Sequence, residues 1–423
     1  MIGSTPLARR RILFCAESIT LSQVVRLLVL SRALDRDVYE VHFAAGAFDE
    51  TCFAGSDVVR HVIPTVKAAT VLRRVGWGCR PYGRPTLRRY VQSELALFAR
   101  VRPDVVVGDF RLSLAVSAPV ARVPYVNLVN AYWSPWAARD RWPVPDHPVL
   151  SLLAVETVER HVGTVLPWMR RHFAAPLDAV RAEYGLPPLG DLLAMLTAGD
   201  LVLHPDVPEL VPTSGQPAHH RYLGSVSWSP AVPIPVSFRA AEPGPPWVYV
   251  TLGSSGDLDT LPAVLEALVT LPVRVMVATA DRRAQACAGG ALHVTSYLPG
   301  DEAARLAAFV VCNGGSSTAY QALYEGTPVL GLPANLDQHL AMAAIVRRGA
   351  GIGVRAQGAR ATAIREAASA LLCRDGFAEA ARAVAADMRR YDAQAGFAAR
   401  LSTMLGGGIR IEPTRAAGGE SCA

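Results

Sequence analysis

The run Phe309-Val310-Val311-Cys312-Asn313-Gly314-Gly315-Ser316-Ser317-Thr318, followed by Glu325-Gly326-Thr327-Pro328-Val329 and then Pro333, decides the fold. A short apolar strand ends in a Gly-Gly turn that opens a helix. A second buried strand begins after the glycine and proline that close the helix. Such strand–turn–helix–strand units build open parallel sheets, which bind ligands beyond the carboxyl ends of their strands. Glycines let an anionic group approach the backbone, and the free N–H groups and dipole of the helix start favour negative charge. Ser317 and Thr318 can add hydroxyl donors. A Gly-Gly-Ser turn can equally be a plain tight connection, so its neighbours decide its meaning. Downstream, Asp337-Gln338 can exchange hydrogen bonds with sugar hydroxyls, although an aspartate there can also cap a helix.

Working outward, the same rhythm recurs on both sides. In the second half, Trp247–Leu252 is a strand ending at Gly253-Ser254, and a helix follows over Leu261–Leu268. Further strands are expected at Val273–Ala278, His293–Ser296 and Val329–Leu332, with closing helices near 360–373 and 376–404. In the first half, strands at Arg11–Cys15, Tyr39–Ala44, Val105–Gly108 and Pro124–Leu128 alternate with helices through Val24–Leu34 and Leu112–Arg122. Ser18 or Thr20 can cap the first of these helices. Two long helices are expected near 150–173 and 176–198, and the proline-rich stretch Pro205–Pro246 reads as an interdomain connection. The fold class is α/β, with two Rossmann-like domains facing each other across a cleft. Their expected extents are 1–230 and 231–404, and the glycine-rich 405–423 reads as a disordered tail.

Composition supports two cores. The chain has 423 residues, 51% of them hydrophobic and only 18% charged, a globular profile too long for one core. No uncharged apolar run is long enough for a transmembrane helix, so no stable membrane insertion is expected. The arginines before Ile12–Ala16 lack a following cleavage pattern, and a cytoplasmic location is the expectation. Seven scattered cysteines without a CxxC pair suit reduced, mostly buried thiols and no zinc site. The net charge of +6 is almost wholly arginine, Lys67 being the sole lysine, which excludes a GxxxxGK[ST] phosphate loop. No nucleic-acid-binding signature accompanies the charge.

With these residues in view, the segment 313–338 resembles the donor-binding signature of family 1 nucleotide-sugar glycosyltransferases, which share the two-domain glycosyltransferase-B fold. Asn313, Gln321, Gly326, Pro328, Pro333 and Asp337-Gln338 stand at the signature's offsets. The resemblance implies that Asn313, Gly314, Gly315, Ser316, Ser317 and Thr318 surround the diphosphate, and that Gln321 holds the ribose. It further implies that Asp337 and Gln338 read the transferred sugar. Asn313 and Gln321 stand where the family usually has His and Glu. Tyr297-Leu298-Pro299-Gly300 resembles the motif whose aromatic ring stacks on the nucleobase, so Tyr297 takes that role; a core tyrosine is the alternative. Gly253 and Ser254 match the turn near the β-phosphate. The implied donor is a nucleoside diphosphate sugar, with no metal or other cofactor.

The N-terminal half departs from the family's pattern. Inverting transfer needs a base near the acceptor hydroxyl. The family usually supplies a histidine at the start of the first long helix, oriented by an aspartate about a hundred residues later. Here Ala16-Glu17-Ser18-Ile19-Thr20-Leu21-Ser22-Gln23-Val24-Val25-Arg26 resembles that helix start with Gln23 in the histidine's place, while Asp109 retains the aspartate's position. Three readings stay open: Asp109 acts as base with Gln23 positioning the acceptor, the acceptor needs little help, or the protein binds a nucleotide sugar without transferring it. A sugar-nucleotide epimerase is a fourth, which would need carboxylates in the cleft. Glu17 reads as a capping residue.

Acceptor pockets in this fold come from N-domain loops. Tyr132, Trp133 and Trp136, with Trp142, are candidates to line one around a small, natural-product-like acceptor; core packing competes with that assignment. The arginine-rich segment Arg73–Arg84, with Arg88 and Arg89, reads either as a solvated loop or as a mobile acceptor loop or membrane-facing patch. His219-His220 reads as a surface pair. The oligomeric state is left open.

Overall fold

The computed structural model describes residues 9–147, 155–235, 238, 244–253, 256, 258–279, 288–289 and 292–406. The first sheet contains β1 (Arg10–Ala16), β2 (Tyr39–Ala45), β3 (Val59–Val62), β4 (Val105–Asp109), β5 (Tyr125–Leu128), β6 (Leu201–His204) and β7 (His220–Tyr222). All its pairings are parallel, in the order β3-β2-β1-β4-β5-β6-β7. The second sheet contains β8 (Trp247–Thr251), β9 (Arg274–Ala278), β10 (Ala288–Gly289), β11 (Leu292–Thr295), β12 (Ala307–Cys312), β13 (Val329–Gly331) and β14 (Gly351–Gly353). Its order is β10-β11-β9-β8-β12-β13-β14, parallel except for the short β10–β11 pairing. These are the two facing Rossmann-like domains that the sequence predicts.

The central strands are uniformly apolar because helices cover both faces of each sheet. Ile12, Phe14, Val105 and Val107 are fully buried in the first domain, as are Val248, Val250, Phe309 and Val311 in the second. Both sheets run their carboxyl ends toward the cleft, where Asp109 ends β4 and Asn313 follows β12.

The connections differ from the sequence reading in several places. One helix, Val155–Glu183, replaces the expected pair and carries Pro167 and Pro176 inside it. The stretch read as a connection contains β7, and His220 on it is buried beside His204, with its ring nitrogen 3.4 Å away. It is no surface pair, and burial pushes its pKa down to about 3. Glu17 caps nothing: it is fully buried, 2.9 Å from Arg111, which also holds Glu94 at 2.7 Å. In the arginine-rich segment residues 77–83 are a loop, while Arg73 and Arg74 end the helix Ala68–Gly76 and Arg84, Arg88 and Arg89 begin Arg84–Val101; Arg84 and Arg88 both bind Glu183.

At the end of the chain, the expected 376–404 helix divides into Asp375–Met388 and Ala393–Gly406. The second of these crosses back to the first domain, where Phe397 packs 5.9 Å from Phe14. It includes Leu405 and Gly406, the first residues of the expected tail; residues 407–423 lie outside the described residues. Cys15, Cys52 and Cys312 are buried free thiols, while Cys79 and Cys373 are exposed. Among the described residues no helix is long and apolar enough to cross a membrane.

Candidate active site

A cleft of about 600 Å³ separates the two sheets' carboxyl ends. Its C-domain wall begins where β12 turns into the helix Ser316–Tyr324, with Gly315 as N-cap. Gly314 sits at φ 75°, and a Cβ there would lie 2.6 Å from Met342 Cγ, so only glycine satisfies both backbone and packing. The turn is fixed by Asn313, whose Oδ1 accepts from Gly315 N at 3.1 Å. Asn313, Gly315, Ser316, Ser317 and Thr318 thereby line the cleft at a helix start. Gly253, at φ 63°, lines it from the end of β8, where a Cβ would lie 3.7 Å from Asn313 Nδ2. Ser254 lies outside the described residues.

Tyr297 lines the same wall, half-buried, just after β11. Gln321 also faces it, but its Nε2 donates to Trp228 O at 3.1 Å and Ser229 Oγ at 2.8 Å. It therefore fastens the connecting segment to the donor wall. Gln338 Oε1 accepts from Ala334 N and Asn335 N at 2.9 and 3.3 Å, which commits its oxygen to capping the helix Leu336–Arg347. Asp337 Oδ1 accepts from Tyr132 Oη at 3.1 Å and Trp133 Nε1 at 2.7 Å, both on the other domain. Burial raises the pKa of Asp337 above the ordinary range, with those two donors opposing it.

The N-domain wall is built around Asp109, only 1% exposed. Arg26 grips both its oxygens, Nε to Oδ2 at 2.9 Å and Nη2 to Oδ1 at 2.8 Å. Arg26 Nη1 reaches Asn130 Oδ1 at 2.8 Å, and Asn130 donates to Asp206 Oδ1 at 3.1 Å. Tyr320 Oη of the second domain donates to the same Asp206 oxygen at 2.6 Å, so the network spans the cleft. Burial lifts the Asp109 pKa to about 6, with Arg26 restraining the rise and Asp337 adding to it. Gln23 lines the cleft, yet its Oε1 accepts from Ile19 N and Thr20 N, both at 3.2 Å. Its oxygen secures the helix start.

Arg26 is the residue that sequence reasoning passed over. Its signal was a lone cation between Val25 and Leu27, one helical turn after Gln23 on a buried apolar stretch. A buried charge there demands a partner.

On the acceptor side, Trp133 and Trp142 line the cleft. Tyr132 is spent on Asp337, and Trp136 lies edge-on against His220 at 4.8 Å, away from the lining. Two further helices add apolar side chains, Val71, Leu72 and Val75 from one and Leu166, Met169 and Phe173 from the other.

Two facing parallel-sheet domains, with a glycine-rich helix start on one wall and a buried carboxylate on the other, define a glycosyltransferase of the glycosyltransferase-B architecture. No protein-family model matches the chain. It is 44% identical over 382 residues to a PGL/p-HBAD biosynthesis glycosyltransferase of Mycobacterium tuberculosis, covering 90% of this chain and 89% of that one. It is 42% identical over 378 residues to a PGL/p-HBAD biosynthesis rhamnosyltransferase of Mycobacterium bovis, covering 89% of this chain and 84% of that one. A spinosyn rhamnosyltransferase complexed with spinosyn aglycone shares the fold, with a TM-score of 0.68 at 19% identity, covering 93% of this chain and 100% of that one. The chain belongs to the family of PGL/p-HBAD biosynthesis glycosyltransferases, and it is a glycosyltransferase.

Proposed function

We propose that this enzyme moves a sugar from a nucleoside diphosphate sugar to a hydroxyl of a small acceptor with a large apolar part, inverting the anomeric carbon. The observation that carries this reading is the meeting, in one cleft, of the Asn313–Thr318 helix start with the Arg26–Asp109 pair. The helix N–H groups and the hydroxyls of Ser317 and Thr318 would hold the diphosphate, so no metal is required. Tyr297 would stack on the base, and Asp337, held by Trp133 and Tyr132, would meet the sugar hydroxyls.

In the transfer, the acceptor oxygen attacks the anomeric carbon as the bond to the diphosphate oxygen breaks, and the nucleoside diphosphate leaves. The acceptor proton passes to Asp109. Two bonds from Arg26 leave lone pairs on both carboxylate oxygens, and the pKa of about 6 keeps the group ionised at neutral pH yet basic enough to take a proton. The apolar wall suits an acceptor such as the PGL/p-HBAD named for the relatives, and the rhamnosyltransferase among them makes a rhamnose donor the first to try.

The test is nucleotide release from a panel of UDP-, TDP- and GDP-sugars with phenolic and aliphatic alcohols, with and without chelator, beside Asp109→Asn. Turnover unaffected by chelator and lost in the variant is expected. Donor binding without release on every acceptor would overturn the transfer reading, and full turnover in the variant would remove Asp109 as base.

A further inference from the structure

Among the described residues the exposed large apolar side chains are spread over both domains, and the two aromatic ones among them are tryptophans. Trp77 is 57% exposed at the end of the helix Ala68–Gly76, and Trp168 is 68% exposed on the helix Val155–Glu183, with Val165 beside it in sequence. No other tryptophan, tyrosine or phenylalanine among the described residues is comparably exposed. The inner faces of the same two helices carry Leu72 and Leu166, which line the acceptor side of the cleft. The loop that follows the first helix is tied to the second at this rim. Arg80 Nη2 lies 2.9 Å from His172 Nδ1, and Trp168 stacks on His172 with ring centroids 5.1 Å apart.

The segment that carries Trp77 is basic, and the nearby carboxylates Glu183 and Asp191 are each held by arginines. Residues 66–93 hold Lys67, six arginines and no carboxylate. Arg84 and Arg88 share the one carboxylate of Glu183, and Arg73, Arg74 and Arg171 are exposed. Tryptophan at the edge of an apolar surface, ringed by arginine, is the composition that settles at the headgroup level of an anionic bilayer. We infer that the outer faces of these two helices form a docking surface for an anionic lipid membrane, with the apolar cleft opening toward it. An amphiphilic acceptor could then enter the cleft without its apolar part crossing water. A second copy of the chain is a poor occupant, because a two-fold contact would set this arginine cluster against itself. The membrane inference rests on the glycosyl-transfer reading only for the acceptor; docking itself does not depend on it.

The experiment is co-sedimentation of the full chain with vesicles of phosphatidylcholine alone and of phosphatidylcholine mixed with phosphatidylglycerol, at low and high salt. The variants are Trp77→Ser with Trp168→Ser, and Arg73→Gln with Arg74→Gln and Arg171→Gln. Binding should require phosphatidylglycerol, weaken with salt, and fall about fivefold for each arginine removed, from the attraction of a single basic residue to an anionic surface. The tryptophan variant should bind weakly at either salt. Nucleotide affinity and turnover on a short water-soluble acceptor should be unchanged in both variants, which separates a docking failure from a failure of the transfer reading. No binding to either vesicle, or equal binding by wild type and variants, would overturn the docking surface. So would a dimer in solution that the tryptophan variant dissolves.

Discussion

Asp109 and Arg26 set how the site responds to protonation. Burial raises the carboxyl pKa from 3.8 to about 6, so the folded chain holds this proton to higher pH than the unfolded one. The group therefore favours the fold at pH below 3.8, and that contribution is lost as pH rises through about 6. Activity runs the opposite way, because only the ionised form can take the acceptor proton. The kcat profile should fall on its acid side near pH 6, and Asp109→Asn should lower kcat about 10²–10⁴-fold and abolish that limb. Arg26→Met leaves the carboxylate buried without its cation, which should cost about 3–5 kcal/mol in denaturant unfolding. In that variant the acid limb should move to higher pH, and a limb that stays in place would separate Arg26 from the titration. Asp109 was legible in the sequence from its place at a strand end. Arg26 was not, since its partner lies 83 residues away and only the folded sheet brings the two together.

Among the elements, the turn Asn313–Gly315 was the most legible, because its geometry is written in the residue types that permit it. Gly314→Ala meets both a positive φ and the Met342 side chain. The left-handed backbone should cost about 1–2 kcal/mol, and the overpacking a further ~1–3 kcal/mol. Gly358, at φ 73° with open space around it, isolates the backbone cost, so Gly358→Ala should lose only the first of these. Chemical denaturation reads both, and nucleotide affinity should fall for Gly314→Ala alone. Equal losses in the two variants would show that Met342 yields. The long helix Val155–Glu183 was misread as two because Pro167 and Pro176 suggest breaks. Its apolar stripe nevertheless keeps helical spacing across both prolines, through Leu166, Met169 and Phe173 and then Ala174, Leu177 and Val180. Continuous packing outweighs the lost backbone donors. β3 and β7 escaped notice because neither is an apolar run: Val59–Val62 is largely exposed, and His220–Tyr222 carries a histidine and an arginine.

At the scale of the whole molecule, the last helix decides how the two halves hold together. Sequence order places Ala393–Gly406 with the second domain, and nothing in its composition names the surface it covers. In the fold it crosses the hinge and seals the first domain's core. Phe397 is 1% exposed against Phe14, Leu401 is fully buried, and Gln394 Nε2 donates to Val29 O at 2.9 Å. The core cluster that this clasp joins holds none of the cleft-lining groups of the second domain. Phe397→Ala should therefore cost about 3–5 kcal/mol of stability, as for other buried aromatic truncations, while nucleotide affinity at folding temperatures stays near wild type. The informative measurement is calorimetric unfolding with and without nucleotide. If the clasp couples the domains, the variant should separate the wild-type transition into an early step insensitive to nucleotide and a later one that nucleotide raises. A single transition shifted as a whole would place the coupling instead in the bonds across the cleft, from Tyr320 to Asp206 and from Trp133 to Asp337.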